Sequence, residues 1–339
     1  MNQPVCVGIV GLGNWGRNHV RTLVNLPECR LKYICDINPE AVATQNRLYP
    51  GVATTNDFNR LLEDPELEAV IVATSARSHY ELSRRTLEAG KDLFVEKPMT
   101  LAVEAGEHLC ELAERQGRLI QVGHLMLHHP AIEYLKRWID SGDLGEIYYI
   151  YSQRLNLGVV RSDENALWSL APHDFSISDH LMSDSPRAIH ANGASYLQDR
   201  IEDVMFVTLE YSAERVAHVH VSWLDPHKIR RLTIVGSEKM AIFDDQEPTE
   251  KIRIYEKGVE QVELDHQGEL LSIRNGDVHI PCLPNAEPLK RQMQHFMECV
   301  RTRRRPLVDG RNGLSVVRTL TEASRQLTGC PQPDPAHIQ

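Results

Sequence analysis

The first third of the chain alternates short apolar runs with amphipathic stretches. Residues Val5–Val10 form an apolar run of the kind that is buried on both faces of a sheet. Similar runs predict strands at residues 31–35, 69–73, 93–95 and 119–122. Amphipathic stretches that end near Leu26, Ala89 and Gln116 predict helices between them, with Gly90 and Gly117 at the expected C-terminal caps. Strands alternating with helices predict right-handed βαβ units in a doubly wound parallel sheet.

Beyond about Gly123 the pattern changes. A helix near 131–141 precedes a longer strand at 147–155 and a short helical region that contains Pro172. Strands then follow one another at 188–197, 204–211, 216–223, 231–235 and 252–255, before two closing helices at about 288–304 and 314–328. Consecutive strands without intervening helices indicate an antiparallel sheet.

These patterns predict two domains. Residues 1–124 are expected to form an α/β Rossmann domain with a doubly wound parallel sheet. Residues 125–330 are expected to form an α+β domain with a large, mostly antiparallel open sheet, and its late helices can pack back on the first domain. Residues 331–339 are expected to be a loose C-terminal tail.

The first strand leads directly into a glycine-rich turn. Gly11, Gly13 and Gly16 have the G-x-G-x-x-G spacing, with Asn14 and Trp15 between them at the start of a helix. The first glycine permits the tight turn, the second lets the backbone approach a pyrophosphate, and the third allows close packing of helix on strand. The helix N-terminus then offers free N–H groups to the phosphates.

An acidic residue stands at the distance that a dinucleotide site requires. Asp36 follows Gly16 by twenty positions and ends the second predicted strand. A carboxylate there accepts hydrogen bonds from the ribose hydroxyls and repels a 2′-phosphate, so NAD is favoured over NADP. The alternative is a tight turn with an unrelated surface carboxylate, which the position between strand and helix disfavours.

Composition and charge narrow the class of protein. The 339 residues are 42% hydrophobic and 25% charged, as in a globular protein of about two domains. A net charge of −10 argues against nucleic-acid binding but leaves room for an anionic ligand at a local basic cluster. No apolar run approaches the roughly 20 residues of a membrane span. The first strand begins so close to Met1 that no leader is expected, and we predict a cytoplasmic protein.

No metal site is expected. The seven cysteines have no zinc-type spacing. His124 and His128 have the spacing of a zinc pair on a helix, but Pro130 predicts that a helix begins there rather than spans them.

A second motif follows the strand at 93–95. Glu96, Lys97 and Pro98 lie at a strand end, where open α/β sheets bind ligands. Lys97 is expected beside the nicotinamide, where it can share or shuttle a hydroxyl proton, and Pro98 restricts it to extended geometry. The alternative for Lys97 alone is a solvated surface lysine.

Taken together, these motifs resemble the Gfo/Idh/MocA oxidoreductase family over nearly the whole chain. The resemblance rests on the glycine turn with Asp36, on Ala73-Thr74 followed by His79, on Glu96-Lys97-Pro98, and on the antiparallel second domain. It implies hydride transfer between a nicotinamide and a sugar, inositol or nucleotide sugar. It also implies that Lys97 is catalytic and that Thr74, His79 and Glu96 belong to the cofactor site.

A further family motif carries an Asp four residues before a catalytic His. Here His173 falls on that His, Pro172 suits the first turn of its helix, and Ser169 stands where Asp is expected. A neutral imidazole at His173 could take the substrate proton. Ser169 keeps an alternative open, namely a non-catalytic NAD-binding regulatory protein of the same fold. On its own, His173 could also be a capping or core histidine.

The remaining candidates concern substrate and assembly. Arg154 and Asn156 end a predicted strand, Arg161 lies in the next loop, and with Trp168 and His124 they are expected to line the substrate site. Guanidinium groups suit phosphate or carboxylate, so an anionic sugar derivative such as a nucleotide sugar is expected. The alternative is that both arginines are solvated loop charges. The exposed face of the antiparallel sheet predicts a homodimer or homotetramer.

Overall fold

The computed structural model describes residues 3–264 and 268–327. The predicted tail at 331–339 lies outside this range. The helices are α1 Asn14–Val24, α2 Pro39–Leu48, α3 Asn59–Glu63, α4 Ala76–Glu88, α5 Val103–Gln116, α6 Pro130–Asp140, α7 Ala166–Met182, α8 Pro288–Thr302 and α9 Gly310–Arg325. The first strands are β1 Val5–Val10, β2 Cys29–Cys35, β3 Ala53–Thr55, β4 Ala69–Val72, β5 Asp92–Val95, β6 Ile120–Val122, β7 Ile147–Leu155 and β8 Ala188–Ala194. The later strands are β9 Val204–Glu210, β10 Val216–Ser222, β11 Ile229–Gly236, β12 Met240–Asp244, β13 Ile252–Tyr255, β14 Gly258–Leu264, β15 Gly268–Arg274 and β16 Val278–His279.

The described part of the chain divides into two compact units, each made of two separate segments, so a single domain boundary at residue 124 does not describe them. The first comprises the described residues up to His128 together with Ala286–Arg318. The second comprises His129–Asn285 together with the described residues from Thr319 onward. The first unit therefore includes a segment from late in the sequence, and this segment contains α8. None of the described helices is both long enough and apolar enough to span a membrane.

The first unit is built on a six-stranded parallel sheet in the order β3-β2-β1-β4-β5-β6. This is the Rossmann order, with a change of direction between β1 and β4 that opens a ligand crevice at the carboxyl ends of the strands. The predicted fold class is confirmed. The three-residue β3 was not predicted, because so short a run carries too little pattern.

The late helix α8 joins the core of the first unit. Met293, Phe296 and Met297 of α8 are fully buried and belong to the same core cluster as Ile9 of β1 and Leu23 of α1. Burying each such side chain contributes roughly 1.5–3 kcal/mol. The apolar face of α8 thus explains why the first unit is discontinuous in sequence.

The second unit holds an eight-stranded sheet in the order β16-β13-β12-β11-β7-β10-β9-β8. Its neighbouring strands are antiparallel except β7 and β10, which run parallel. The prediction of a large, mostly antiparallel sheet is confirmed. The strands β14 and β15 form a separate two-stranded antiparallel sheet.

Helix α7 packs against β7, β9 and β10 of this sheet. It corrects the prediction of a short helix with Pro172 in its first turn, because α7 has 17 residues and Pro172 lies inside it. Asn165 caps the helix by accepting a hydrogen bond from the Trp168 N–H at 3.1 Å. An interior proline removes one helical hydrogen bond. Burial of Phe175, Leu181 and neighbouring side chains against the sheet offsets that loss.

The two faces of the second sheet differ in character. Met205, Val207 and Leu209 of β9 are fully buried. They occupy alternate positions and so share one face. The other face carries stacked aromatic pairs, Phe206 with His220 at 4.3 Å and Tyr151 with His218 at 5.7 Å between ring centroids. One face of the sheet is therefore apolar and buried, whereas the opposite face, where a subunit interface is predicted, is aromatic and histidine-rich.

Candidate active site

The glycine turn has the geometry of a phosphate-binding loop. Gly11 has a φ of +100°, and a Cβ there would lie 2.5 Å from the Ala73 carbonyl oxygen. A Cβ at Gly16 would lie 1.9 Å from the Gly11 carbonyl oxygen, so the first turn of α1 packs directly on the loop. A Cβ at Gly13, in contrast, would meet no atom within 4 Å. At Gly11 and Gly16 a side chain would clash with the protein's own backbone, so only glycine fits there, whereas Gly13 faces open space.

That open space lies in front of the N-terminus of α1. Gly13 is the N-cap residue and brings no capping side chain, so the first N–H groups of α1 are left to an external acceptor. Asn14 and Trp15 occupy the first turn, and Trp15 is 41% exposed. A bare backbone and a helix dipole pointing at open space fit the pyrophosphate of a dinucleotide.

Asp36 stands beside this loop at the end of β2. Its carboxylate accepts hydrogen bonds from the Leu12 N–H at 2.6 Å and from the Asn38 N–H at 2.8 Å. The next residue, Ile37, is almost fully exposed and neutral. Asp36 therefore fixes the loop and presents a carboxylate, with no cation following it directly, where an adenosine ribose would lie.

His79 is buried inside the first unit rather than open to a cofactor. Its Nδ1 lies 2.8 Å from the Pro98 carbonyl oxygen and its Nε2 lies 3.2 Å from the Thr74 carbonyl oxygen. Burial lowers the pKa of His79 and favours a neutral ring. A neutral ring has one N–H, and the shorter contact favours donation from Nδ1 to the Pro98 carbonyl oxygen, so His79 ties α4 to the segment after β5. Thr74 is half-buried at the end of β4, and its hydroxyl oxygen accepts a hydrogen bond from Ser78 Oγ at 2.8 Å.

Glu96 is likewise internal. It is 6% exposed, and its Oε1 lies 2.7 Å from Nε2 of His19, which is fully buried on α1. Burial raises the pKa of Glu96, but the His19 hydrogen bond and the nearby charge of Lys97 outweigh it, so the net shift is downward. Lys97 is half-buried, its N–H donates to Glu96 Oε2 at 3.2 Å, and the Lys97–Pro98 peptide is cis.

Sequence reasoning missed His19. A signal was present, since Gly16 and His19 are three residues apart and share a helix face. The close packing that Gly16 provides turns that face towards the sheet. The partner, Glu96, is 77 residues away and no local pattern links the two.

His124 lies at the end of β6 and is 1% exposed. Neither ring nitrogen has a hydrogen-bond partner within the described part of the chain. Burial, with the nearby charge of Lys97, lowers the pKa of His124 to about 4. Its neighbour in the zinc-like spacing, His128, is followed by His129, which caps α6 through a hydrogen bond from the Ala131 N–H at 3.0 Å. Among residues 3–264 and 268–327, no group of three His, Cys, Asp or Glu side chains is arranged to hold a metal ion.

The candidates in the second unit centre on α7. His173 is half-buried directly after Pro172, and Ser169 lies one turn earlier on the same helix. Trp168 is buried, and its Nε1 donates a hydrogen bond to Ser324 Oγ at 3.0 Å. Trp168 therefore has a packing role, whereas His173 is only half-buried.

The two candidate arginines both have carboxylate partners. Arg154 is buried, and its Nε lies 2.6 Å from Oδ2 of Asp174 on α7. Arg161 is exposed and forms a 2.9 Å ion pair with Glu164. Asn156 is half-buried after β7, and its N–H donates to the Ser222 carbonyl oxygen at 3.1 Å. Arg154 thus serves to hold α7 on the sheet, while an exposed pair such as Arg161–Glu164 is weak and easily exchanged.

Comparison with known proteins identifies the family. The profile described as "Oxidoreductase family, NAD-binding Rossmann fold" (GFO_IDH_MocA) matches residues 5–124. The profile described as "GFO/IDH/MocA C-terminal domain" matches residues 132–242. The chain belongs to the Gfo/Idh/MocA family of oxidoreductases, as the sequence resemblance predicted.

Characterised relatives align over most of the chain. It is 26% identical over 325 residues to scyllo-inositol 2-dehydrogenase (NAD(+)) of Bacillus subtilis, covering 91% of this chain and 90% of the relative. It is 25% identical over 316 residues to UDP-N-acetylglucosamine 3-dehydrogenase of Acidithiobacillus ferrooxidans, covering 91% and 93%. A solved structure from Magnetospirillum magnetotacticum superposes with a TM-score of 0.82 at 29% identity, covering 95% and 100%.

Proposed function

We propose that this protein is an NAD-dependent dehydrogenase that transfers a hydride between nicotinamide and a hydroxyl-bearing carbon of a sugar, an inositol or a nucleotide sugar. One observation carries the proposal. The open cradle at Gly13, the Asp36 carboxylate and Lys97 all lie beyond the carboxyl ends of strands in the sheet of the first unit. The dehydrogenase names of the inositol and UDP-N-acetylglucosamine relatives support the same reaction class.

The preferred cofactor in this proposal is NAD rather than NADP. The Asp36 carboxylate would repel a 2′-phosphate, and the next residues, Ile37, Asn38 and Pro39, provide no cation to bind one. When bound, the nicotinamide accepts or supplies the hydride. The residues that hold the dinucleotide in this proposal are Gly11, Gly13, Asn14, Trp15, Gly16 and Asp36, with Thr74 at the end of the neighbouring strand.

Lys97 and His173 both act on the substrate hydroxyl in the proposed reaction. The half-buried ammonium of Lys97 hydrogen-bonds the substrate hydroxyl and stabilises negative charge on its oxygen. The imidazole of His173 accepts the hydroxyl proton during oxidation and returns it during reduction. Ser169, one helical turn before His173, offers a hydroxyl rather than a carboxylate, so His173 works in this mechanism without a charged partner at that position.

The charge of the substrate is the finest part of the proposal. Arg154 is paired with Asp174 and no longer supports an anionic substrate. Arg161 remains accessible at the surface, because its exposed pair with Glu164 costs little to exchange. We therefore propose that any phosphate or carboxylate of the substrate is contacted by Arg161 and that Arg154 is structural.

A substrate panel tests the proposed function. Purified protein with NAD is offered UDP-N-acetylglucosamine, inositol isomers and a uronate, and NADH absorbance is followed. Lys97→Ala and His173→Ala should each lower turnover by about two orders of magnitude or more while NAD still binds. Lys239→Ala and His279→Ala, at exposed or half-exposed positions of the second unit, are the matched controls and should retain full activity.

The outcomes separate the two candidate functions. Turnover that survives in Lys97→Ala or His173→Ala removes that residue from the mechanism. Tight NAD binding without turnover of any compound in the panel would favour the non-catalytic regulatory alternative that Ser169 keeps open. Absence of NAD binding would overturn the proposal.

A further inference from the structure

Two buried polar side chains link the cofactor loop to the proposed catalytic lysine. His19 lies on α1, the helix that begins at the glycine turn, and Glu96 follows β5 directly before Lys97. Their side chains meet at 2.7 Å, with side-chain exposures of 0% and 7%. Removing two polar groups this far from water is costly unless they satisfy each other, so a fixed partnership is expected.

The geometry defines how the pair is held. His19 Nδ1 has no acceptor among the described residues, so the tautomer with hydrogen on Nε2, donating to Glu96, satisfies the ring best. A Cβ at Gly123 would lie 2.7 Å from Glu96 Oε2, so the Glu96 carboxylate packs closely against Gly123 and leaves no room for a side chain there. Glu96 therefore cannot swing away without breaking contacts on two sides.

The other end of the Glu96 carboxylate faces Lys97. Glu96 Oε2 accepts a hydrogen bond from the backbone N–H of Lys97 at 3.2 Å. The charges of the Glu96 carboxylate and the Lys97 ammonium attract each other. The titratable groups that face Glu96 and Lys97 from neighbouring segments are His79 on α4 and His124 after β6. Burial lowers the pKa of both rings, so near neutral pH they contribute no charge. Glu96 thus places a negative charge close to Lys97.

We propose that His19 and Glu96 are positioning residues, which hold the backbone of Lys97 in register with the pyrophosphate-binding end of α1 and place the Glu96 carboxylate beside it. The inference rests on the proposed function and refines it. It replaces the expectation that Glu96 contacts the cofactor. It also predicts that the buried hydrogen bond between His19 and Glu96 contributes to the spacing between the glycine turn and Lys97, because α1 carries both the phosphate site and His19.

The test measures Lys97 directly and needs neither substrate nor cofactor. Lysines are dimethylated with ¹³C-formaldehyde, and the Lys97 resonance, assigned by its loss in Lys97→Arg, is titrated by NMR. Glu96→Gln keeps the shape of the side chain but removes its charge, so the Lys97 midpoint should fall by about one pH unit or more. Lys91→Met is the matched control, since Lys91 is buried at the opposite end of β5 and donates to the Asp64 and Leu67 carbonyl oxygens. Its loss should leave the Lys97 midpoint unchanged.

Kinetics of the complete enzyme provide the second measurement. His19→Leu should lower kcat about tenfold or more with a much smaller change in KM for NAD. His19→Gln should restore most of the loss, because its amide nitrogen can donate to Glu96. A merely structural role would lower stability in both His19 variants without shifting the Lys97 titration in Glu96→Gln.

The results separate this inference from the proposed function. An unchanged Lys97 midpoint in Glu96→Gln, or equal kcat in His19→Leu and His19→Gln, overturns the positioning role even if the wild-type enzyme is fully active. A shifted midpoint supports it even if the substrate panel reveals no turnover, in which case only the proposed function fails.

Discussion

Substitution of Gly13 by alanine isolates cofactor binding from folding. A Cβ at this position meets no protein atom within 4 Å, and the backbone, with φ −63° and ψ −165°, is extended and open to alanine. Alanine lowers the entropy of the unfolded chain, which stabilises by about 0.4–1 kcal/mol. It is a poorer N-cap than glycine, which costs a similar amount. The melting temperature should therefore stay within a few degrees of the wild type.

The same methyl group projects into the space proposed for the pyrophosphate. Displacing the phosphate from one backbone N–H removes a charge-assisted hydrogen bond worth about 1.5–3 kcal/mol. Since 1.4 kcal/mol corresponds to a factor of ten, Gly13→Ala should bind NAD roughly ten- to a hundredfold more weakly. The measurement is isothermal calorimetry with NAD, paired with a thermal melt of each variant.

Two other glycines frame the experiment. Gly51→Ala is the matched control, because a Cβ at Gly51 also meets open space but lies in the turn before β3. Gly16→Ala should fail to fold normally, because its Cβ would lie 1.9 Å from a backbone oxygen. If Gly13→Ala binds NAD as tightly as Gly51→Ala does, the loop does not hold the pyrophosphate and the reasoning is refuted.

Three further predictions follow from single features. Because Asp36 repels a 2′-phosphate, NAD should bind at least about tenfold more tightly than NADP, and Asp36→Ser should narrow that gap; equal wild-type affinities by calorimetry would contradict this. The pKa of His124 is about 4 in the folded chain, whereas the pKa of an unfolded imidazole is about 6.5. Between these two pH values the unfolded state therefore binds more protons than the folded state. The free energy of unfolding should therefore drop by about 3 kcal/mol more in the wild type than in His124→Gln over that range, and parallel pH profiles in denaturant melts would refute it. The aromatic and histidine-rich sheet face around Phe206 should pair with a second copy, and a monomer by light scattering at micromolar concentration would count against it.

Much of the Rossmann unit was predictable because its strands are buried on both faces. Val5–Val10 and Ala69–Val72 are continuous apolar runs, and glycines mark the turns and caps between them. The long strand Ile147–Leu155 was predicted with its observed bounds because its sequence is rich in tyrosine and isoleucine. The strands β14, β15 and β16 were not predicted, because their half-polar sequences resemble loops. The strand β12 was missed although its first four residues are apolar.

Tertiary packing decided the features that local patterns could not. Pro172 predicted a helix start, yet burial of the residues around it against β7 and β10 carries α7 through the proline. The late helices were expected to be able to pack back on the first domain, and α8 does so, because Phe296 and its neighbours join the core around Ile9. No local pattern identifies that partner, which lies nearly three hundred residues earlier in the chain.

The candidate site shows the same division. The glycine turn, Asp36 and Lys97 were identified from spacing, because each is set by the ends of predictable strands. The partners of Arg154 and Glu96 were not, since Asp174 and His19 are brought to them by packing of helices on sheets. The motifs therefore predicted where in the fold a charged residue lies, but they did not predict which side chain it contacts.

The most direct test of the account follows the hydride itself. NADH carrying deuterium at the transferable position of nicotinamide C4 is incubated with the protein and the keto form of a sugar or inositol that the panel identifies, and the product is analysed by mass spectrometry. The alcohol product should gain one deuterium per turnover at the carbon that bears the new hydroxyl, and Lys97→Ala should slow its appearance. A product formed without deuterium, or no deuterium transfer to any compound of the panel although NADH binds, would contradict it.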